Sequence, residues 1–218
     1  MKLVWSPETA SKAYIETVQF CHLYFQSGIA ELVSAMAAGW KAQLIVETWS
    51  QGGAISTSIG LAIASRHTRG RHVCIVPDER SRLEYGERMG EAGMNPEIMV
   101  GESEEVMEGL KGIDFMVVDS SHRDFSRVLM LAKLGANGAV LLCKNANSRN
   151  GFPCSKWKGV LDKGSQRLVR SVFLPVGEGL DIAHISAIGG NSVSALKGGK
   201  RWIKHVDQQT GEVLVIRR

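Results

Sequence analysis

A chain of 218 residues, 44% hydrophobic and 22% charged, can bury one sizeable core and has the make-up of a soluble globular protein. Its net charge of +4, with acids and bases mixed along most of the chain, is too mild to imply nucleic acid as a partner. No apolar run is long enough to span a membrane, and no apolar signal segment stands near the N-terminus.

The four cysteines, Cys21, Cys74, Cys143 and Cys154, show neither metal-ligand nor redox-pair spacing. Cys74 and Cys143 lie inside apolar runs and read as small buried hydrophobes, so a reducing compartment, the cytoplasm, is expected. Basic residues gather only at the C-terminal end (Lys197, Lys200, Arg201, Lys204, Arg217 and Arg218). That cluster reads as a solvated basic edge, with phosphate binding as the alternative.

In chain order, Ser6-Pro7-Glu8 is a helix start, with a capping serine and proline at the first helical position. The helix should run to about Phe25, and a second should run from Ile29 to Ala38 and stop at Gly39. Strands are then expected at Gln43–Val46, His72–Val76, Glu97–Val100, Asp114–Val118 and Gly138–Cys143. The helical patterns between them are Ile55–Arg66, Arg80–Ala92, Ser103–Leu110 and Asp124–Leu134. Such alternation means parallel strands covered on both faces, connected right-handedly, hence a doubly wound sheet. From Asn145 to Gly164 the chain is polar and irregular. Arg167–Leu174 and Asp181–Ser186 then read as two strands joined by Pro175-Val176-Gly177-Glu178-Gly179, a connection short enough to require antiparallel pairing. A closing hairpin, Arg201–Val206 and Val213–Arg217, turns at Gln209-Thr210-Gly211.

Doubly wound sheets bind ligands beyond the carboxyl ends of their strands. Those ends carry Glu47, Pro77-Asp78, Gly101-Glu102, Asp119 and Lys144-Asn145. After the first strand stands "ETWSQGGAIST" (47–57), a short glycine-containing loop opening a helix, where a nucleotide-binding fold would hold its ligand.

Several segments resemble the S-adenosylmethionine-dependent small-molecule O-methyltransferases of the caffeoyl-CoA and catechol type. They are "GIAELVSAMAAGWKAQLIVET" (28–48), "DERSRLEYGERMGEAGM" (78–94), "FMVVDSSHRDF" (115–125) and "RSVFLPVGEGLDIAHI" (170–185), in the right order. The opening "WSPETASKAYIETV" and the closing "RWIKHVDQQTGEVLVIRR" further resemble a plant-specific group of methyltransferase-like proteins, a match over nearly the whole chain that brings a fold but no established reaction. The resemblance implies a Rossmann-like methyltransferase fold with a seven-stranded, mostly parallel sheet in the order three-two-one-four-five-seven-six, its last strand antiparallel. It frames the chain as one domain: N-terminal helices (1–40), a Rossmann-like core (41–186) and a C-terminal hairpin extension (187–218).

The resemblance also implies S-adenosylmethionine as cofactor and a small-molecule acceptor, and relatives of this fold often form homodimers. Cofactor-binding positions carried over are Glu47, Ser50, Gly52, Gly53, Asp78, Glu102, Ser103 and Asp119; candidate catalytic positions are Asp119, Lys144 and His122. The sequence departs from the family pattern at each part. Ser50-Gln51-Gly52-Gly53-Ala54 replaces three spaced glycines, though Ser50 and Ala54 are small enough for close approach. The acid that accepts the ribose hydroxyls should fall near Val76; Asp78 lies about 6 to 7 Å further along an extended chain. In the cation-dependent branch, carboxylates and an asparagine bind a divalent ion, and here the expected Asp-Asn pair reads Lys144-Asn145. An ammonium beside Asp119 repels a cation, so no metal is expected. Lys144 then either closes a vacated site by pairing with Asp119, or replaces the metal as oxyanion stabiliser or base. His122 is either a general base or a surface residue, and Trp49 either a platform for a ring or a plug in the loop. Phe152 and Trp157 are candidate pocket linings. Glu102-Ser103 would reach an adenine amino group, or Ser103 would cap a helix. Two functions follow: a metal-independent methyltransferase, or a catalytically degenerate pseudo-methyltransferase acting as a binding or scaffold module.

Overall fold

The computed structural model describes residues 4–21, 28–120, 125–146, 157, 167–187, 202–206 and 213–217. Helix α1 (Pro7–Cys21) opens as its sequence requires: the Ser6 carbonyl accepts from the Ala10 N–H at 3.1 Å, and the Ser6 hydroxyl meets Thr9 Oγ1 at 2.8 Å. The expected extension to Phe25 lies outside the described residues. Helix α2 (Ile29–Gly39) packs against α1, where Thr17 Oγ1 lies 2.8 Å from Ser34 Oγ. Helix α3 (Ser56–Thr68) is buried from Ser56 through Ser65, on every side. Its small and apolar residues suit that position between other elements. Gly60 permits the crossing with α2, since a Cβ there would stand 2.6 Å from the Ala30 carbonyl oxygen.

The remaining elements follow the expected alternation: β1 (Leu44–Thr48), β2 (Arg71–Val76), α4 (Glu79–Glu91), β3 (Glu97–Val100), α5 (Ser103–Gly109), β5 (Phe115–Asp119), α6 (Phe125–Leu131), β7 (Ala139–Lys144), β8 (Leu168–Leu174) and β9 (Leu180–Ile185). Two short strands were not expected, β4 (Lys111–Ile113) and β6 (Lys133–Leu134), which pair in parallel as a separate ribbon. Helix α6 therefore stops at Leu131 rather than Leu134, because Lys133 and Leu134 are drawn into that ribbon.

The main sheet has seven strands in the order β3-β2-β1-β5-β7-β9-β8. In the numbering of the seven main strands this is three-two-one-four-five-seven-six, as the resemblance implies. Only β9 runs against the rest, antiparallel to both β7 and β8. Alternate residues face opposite layers. Ile45, Cys74, Val76, Phe115, Val117, Val140 and Leu142 join the core under α1 to α4. Leu44, Val46, Val73, Ile75, Met116, Val118, Leu141 and Cys143 join the core under α5 and α6. The order reverses between β1 and β5, so the crevice outside their carboxyl ends is the topological switch point.

The chain divides into two compact units, Met1–Ile188 and Gly189–Arg218. The second contains an antiparallel hairpin, β10 (Trp202–Val206) and β11 (Val213–Arg217), in which Trp202 stands opposite Arg217 and Val206 opposite Val213. The expected turn at 209–211 and most of the basic cluster lie outside the described residues.

Candidate functional site

Three strand ends converge on one cleft at the carboxyl edge of the sheet. Thr48 ends β1 and Trp49 and Ser50 follow it, Pro77 follows β2, and Glu102 to Glu104 follow β3, while Phe125 and Val128 of α6 close one side. Its volume is about 140 Å³. A larger cavity of about 430 Å³ opens at the opposite edge, at the amino ends of β2 and β3, beside Arg66, Arg71 and Glu97. Strand polarity favours the smaller one as the ligand site, because parallel strands aim their loops and helix starts at the carboxyl edge.

The loop after β1 is a tight turn, with the Gly53 N–H donating to the Ser50 carbonyl at 2.9 Å and Gly52 at φ +75°. Its groups are engaged by α4. The Gly52 N–H donates to Glu84 Oε1 at 3.1 Å, and Arg88 Nη1 donates to the Gly53 carbonyl at 2.9 Å. Beneath the loop the Trp49 ring is 3% exposed and tilts against Tyr85, 5.2 Å between centroids. Its indole Nε1 is buried without a hydrogen-bond partner among the described residues. Gly53 is required by this packing, since a Cβ there would lie 2.8 Å from that nitrogen.

Glu47 does not face the cleft. Its side chain shares the face of Ile45 and Trp49, is 1% exposed, and is enclosed by three partners. Tyr85 OH donates to Oε1 at 2.7 Å, His72 Nε2 bonds Oε1 at 3.0 Å, and Ser58 Oγ donates to Oε2 at 2.9 Å. The expectation of a cofactor contact at Glu47 is thereby corrected to a buried structural anchor. Burial by itself would push this carboxyl up, but the hydrogen bond and charge of His72, the Lys144 charge and the Tyr85 hydroxyl together hold it below its usual value. The same burial, with the Glu47 charge, pushes the Tyr85 hydroxyl and the Cys74 thiol well above theirs. Sequence reasoning missed Ser58, His72 and Tyr85. They lie 11, 25 and 38 residues from Glu47, and only the fold unites them.

At the second strand end, Val76 is fully buried and its side chain carries no acceptor. Asp78 is the N-cap of α4, its carboxylate accepting from the Ser81 N–H at 2.7 Å. That bond is the main reason its carboxyl lies below the usual range. Asp78 therefore serves the helix and is not among the residues lining the cleft. Glu102 and Ser103 do line it. Glu102, not Ser103, occupies the N-cap of α5, and its side chain makes no capping bond.

Asp119 and Lys144 end adjacent strands and face each other in register. Lys144 Nζ lies 3.8 Å from Asp119 Oδ2, with the side chains 8% and 13% exposed. Asn145 Nδ2 donates to the same oxygen at 2.8 Å, and Ser120 Oγ donates to the Asn145 carbonyl at 2.6 Å. Asn145 adopts φ +58°, a left-handed conformation that asparagine tolerates. Lys144 thus lies within ion-pair distance of Asp119. Trp157 is fully buried in the core beneath α5 and α6 and does not line the cleft. His122 and Phe152 lie outside the described residues. Among the described residues no three His, Cys, Asp or Glu side chains form a group able to hold a metal. No helix among them is long and apolar enough to cross a membrane.

A seven-stranded sheet with one antiparallel strand, in this order, with its cleft over the switch point, has the Rossmann-like architecture of methyltransferases. The sequence matches the family described as "Protein of unknown function (DUF1442)" over residues 1–218, and the chain belongs to that family. No curated protein matches it. Among solved structures, a methyltransferase from Geobacter sulfurreducens is similar with a TM-score of 0.57 at 21% identity, covering 79% of this chain and 88% of its own. An O-methyltransferase from Bacillus cereus in complex with S-adenosylhomocysteine aligns with a TM-score of 0.54 at 17% identity, covering 80% and 91%. An O-methyltransferase from Streptomyces achromogenes, involved in tomaymycin synthesis and solved with S-adenosylmethionine, gives 0.52 at 23% identity, covering 85% and 92%. At these identities the likeness establishes the fold.

The cavity of about 140 Å³ among the described residues is smaller than the roughly 300 to 1,000 Å³ of sites for drug-sized ligands. With the Gly52 N–H engaged by Glu84 and no side-chain acceptor at Val76, the described residues as arranged do not fit S-adenosylmethionine whole.

Proposed function

We propose that the chain is a methyltransferase-like protein whose ligand is S-adenosylmethionine or the S-adenosylhomocysteine left after methyl transfer, held at the carboxyl ends of β1 to β3. The acceptor is a small molecule, and no metal ion takes part. The observation that carries this reading is the convergence of Trp49-Ser50, Pro77 and Glu102-Ser103 on one cleft at the switch point. Metal independence rests on the Lys144 ammonium 3.8 Å from Asp119, where it supplies the positive charge a divalent ion would bring. Buried free thiols at Cys74 and Cys143 suit a reducing compartment, and the cytoplasm belongs to the proposal.

A second reading, a binding or scaffold module without catalysis, is favoured by the small cleft and by the buried Val76. Calorimetric titration with S-adenosylmethionine and S-adenosylhomocysteine separates the two. The proposal expects micromolar binding that weakens at least tenfold in Gly52→Val, because the added side chain would stand between the ligand and the loop backbone. Silence from the wild-type protein and its loop variants at millimolar ligand would leave only the second reading.

A further inference from the structure

The loop that follows β1 is held by a single stripe of α4. Arg80, Glu84 and Arg88 are spaced four residues apart, which aligns them along one side of the helix. Each holds one of three consecutive loop residues. The Arg80 guanidinium donates to the Gln51 side-chain oxygen through Nε at 2.9 Å and through Nη2 at 3.0 Å, in the amide orientation that satisfies both groups. Glu84 Oε1 accepts from the Gly52 N–H, and Arg88 Nη1 donates to the Gly53 carbonyl. Glu84 and Arg88 also pair with each other at 3.7 Å. The fourth member of this helix in contact with the region, Tyr85, backs the Trp49 ring that fills the space under the loop.

We propose that this stripe is an autoinhibitory clamp: Arg80, Glu84 and Arg88 hold the 51–53 loop against α4, with Trp49 packed beneath it, and ligand enters only when the clamp releases. The inference rests on the proposed ligand reading. Three features support it. A backbone amide in a glycine-containing loop is the group that such folds offer to an anionic ligand, and here a protein carboxylate occupies it. The clamping contacts are polar and partly solvated, with Glu84 and Arg88 side chains 30% and 34% exposed, so they are weak enough to open. The Trp49 nitrogen is buried and has no hydrogen-bond partner among the described residues, so none of these locks its packing.

When the binding-competent form is a minor one, apparent affinity scales with its population, so loosening the clamp tightens binding. The experiment is titration of S-adenosylhomocysteine into the wild-type chain, Glu84→Ala, Arg88→Ala and Trp49→Ala, at low and high salt, with thermal melts confirming that each variant is folded. Both Glu84→Ala and Arg88→Ala are expected to tighten binding about three- to tenfold, and wild-type affinity to rise with salt. A simple field effect would move the two variants in opposite directions, and that result overturns the clamp. Unchanged or weaker binding in both overturns it as well, while leaving the ligand reading intact if the wild type binds. Absence of binding in every form, Trp49→Ala included, overturns both the clamp and the ligand reading.

Discussion

Glu47 shows how much one side chain can determine. It gathers donors from β2, α3 and α4 around a carboxylate with 1% exposure. Replacing it by alanine strands Ser58, His72 and Tyr85 in the core and should cost about 3 to 5 kcal/mol, read as a lowered denaturation midpoint. The pH dependence has a definite sign. Because its folded-state value lies below the ordinary 4.5, the contribution is complete above pH 4.5 and is lost as pH falls through the folded value. Glu47→Gln should therefore show a flatter fall in stability below pH 4.5 than wild type, measured by urea titration across that range. At the strand ends the informative change is Lys144→Asp. It places a carboxylate beside Asp119 and Asn145, so Mn²⁺ should raise the melting temperature of the variant and leave wild type unmoved. A comparable rise in wild type would end the metal-independent reading.

Among elements, α3 and α4 make opposite use of the helix. Helix α3 is buried around its circumference and depends on close approach to its neighbours. Gly60→Val would drive side-chain atoms into the Ala30 carbonyl, 2.6 Å from the Cβ position, and should destabilise by about 2 kcal/mol. Calorimetric melting would detect it as a drop of several degrees, and an unchanged melting temperature would mean that α2 and α3 are packed less tightly than described. Helix α4 buries only Ser81, Tyr85 and Met89 and turns its charged residues to the loop and to solvent. The expected elements on either side of it formed because each has its own periodicity. The β4–β6 ribbon was not legible, because three and two residues are too few to carry a period, and their pairing joins segments about 20 residues apart.

For the whole molecule, the sheet sets a gradient of protection. Strands β1, β5 and β7 are central and flanked on both sides, whereas among the described residues β8 pairs only with β9 and exposes Val169, Val172 and Phe173. Hydrogen exchange should be slowest in β1, β5 and β7 and fastest in β8 and β3. Protection of β8 equal to that of β1 would mean that its outer edge is covered in solution. What the sequence alone determined was the succession of elements and, through the family resemblance, the strand order and the antiparallel β9. Periodicity and turn residues act within a few positions, so they are written locally. What only the tertiary structure decided was where the strand-end groups point. Glu47 turns into the core, Lys144 pairs with Asp119, and the loop at 51–53 is tied to α4. Those outcomes depend on register between segments 25 to 38 residues apart, where a shift of one residue reverses the face that a side chain occupies.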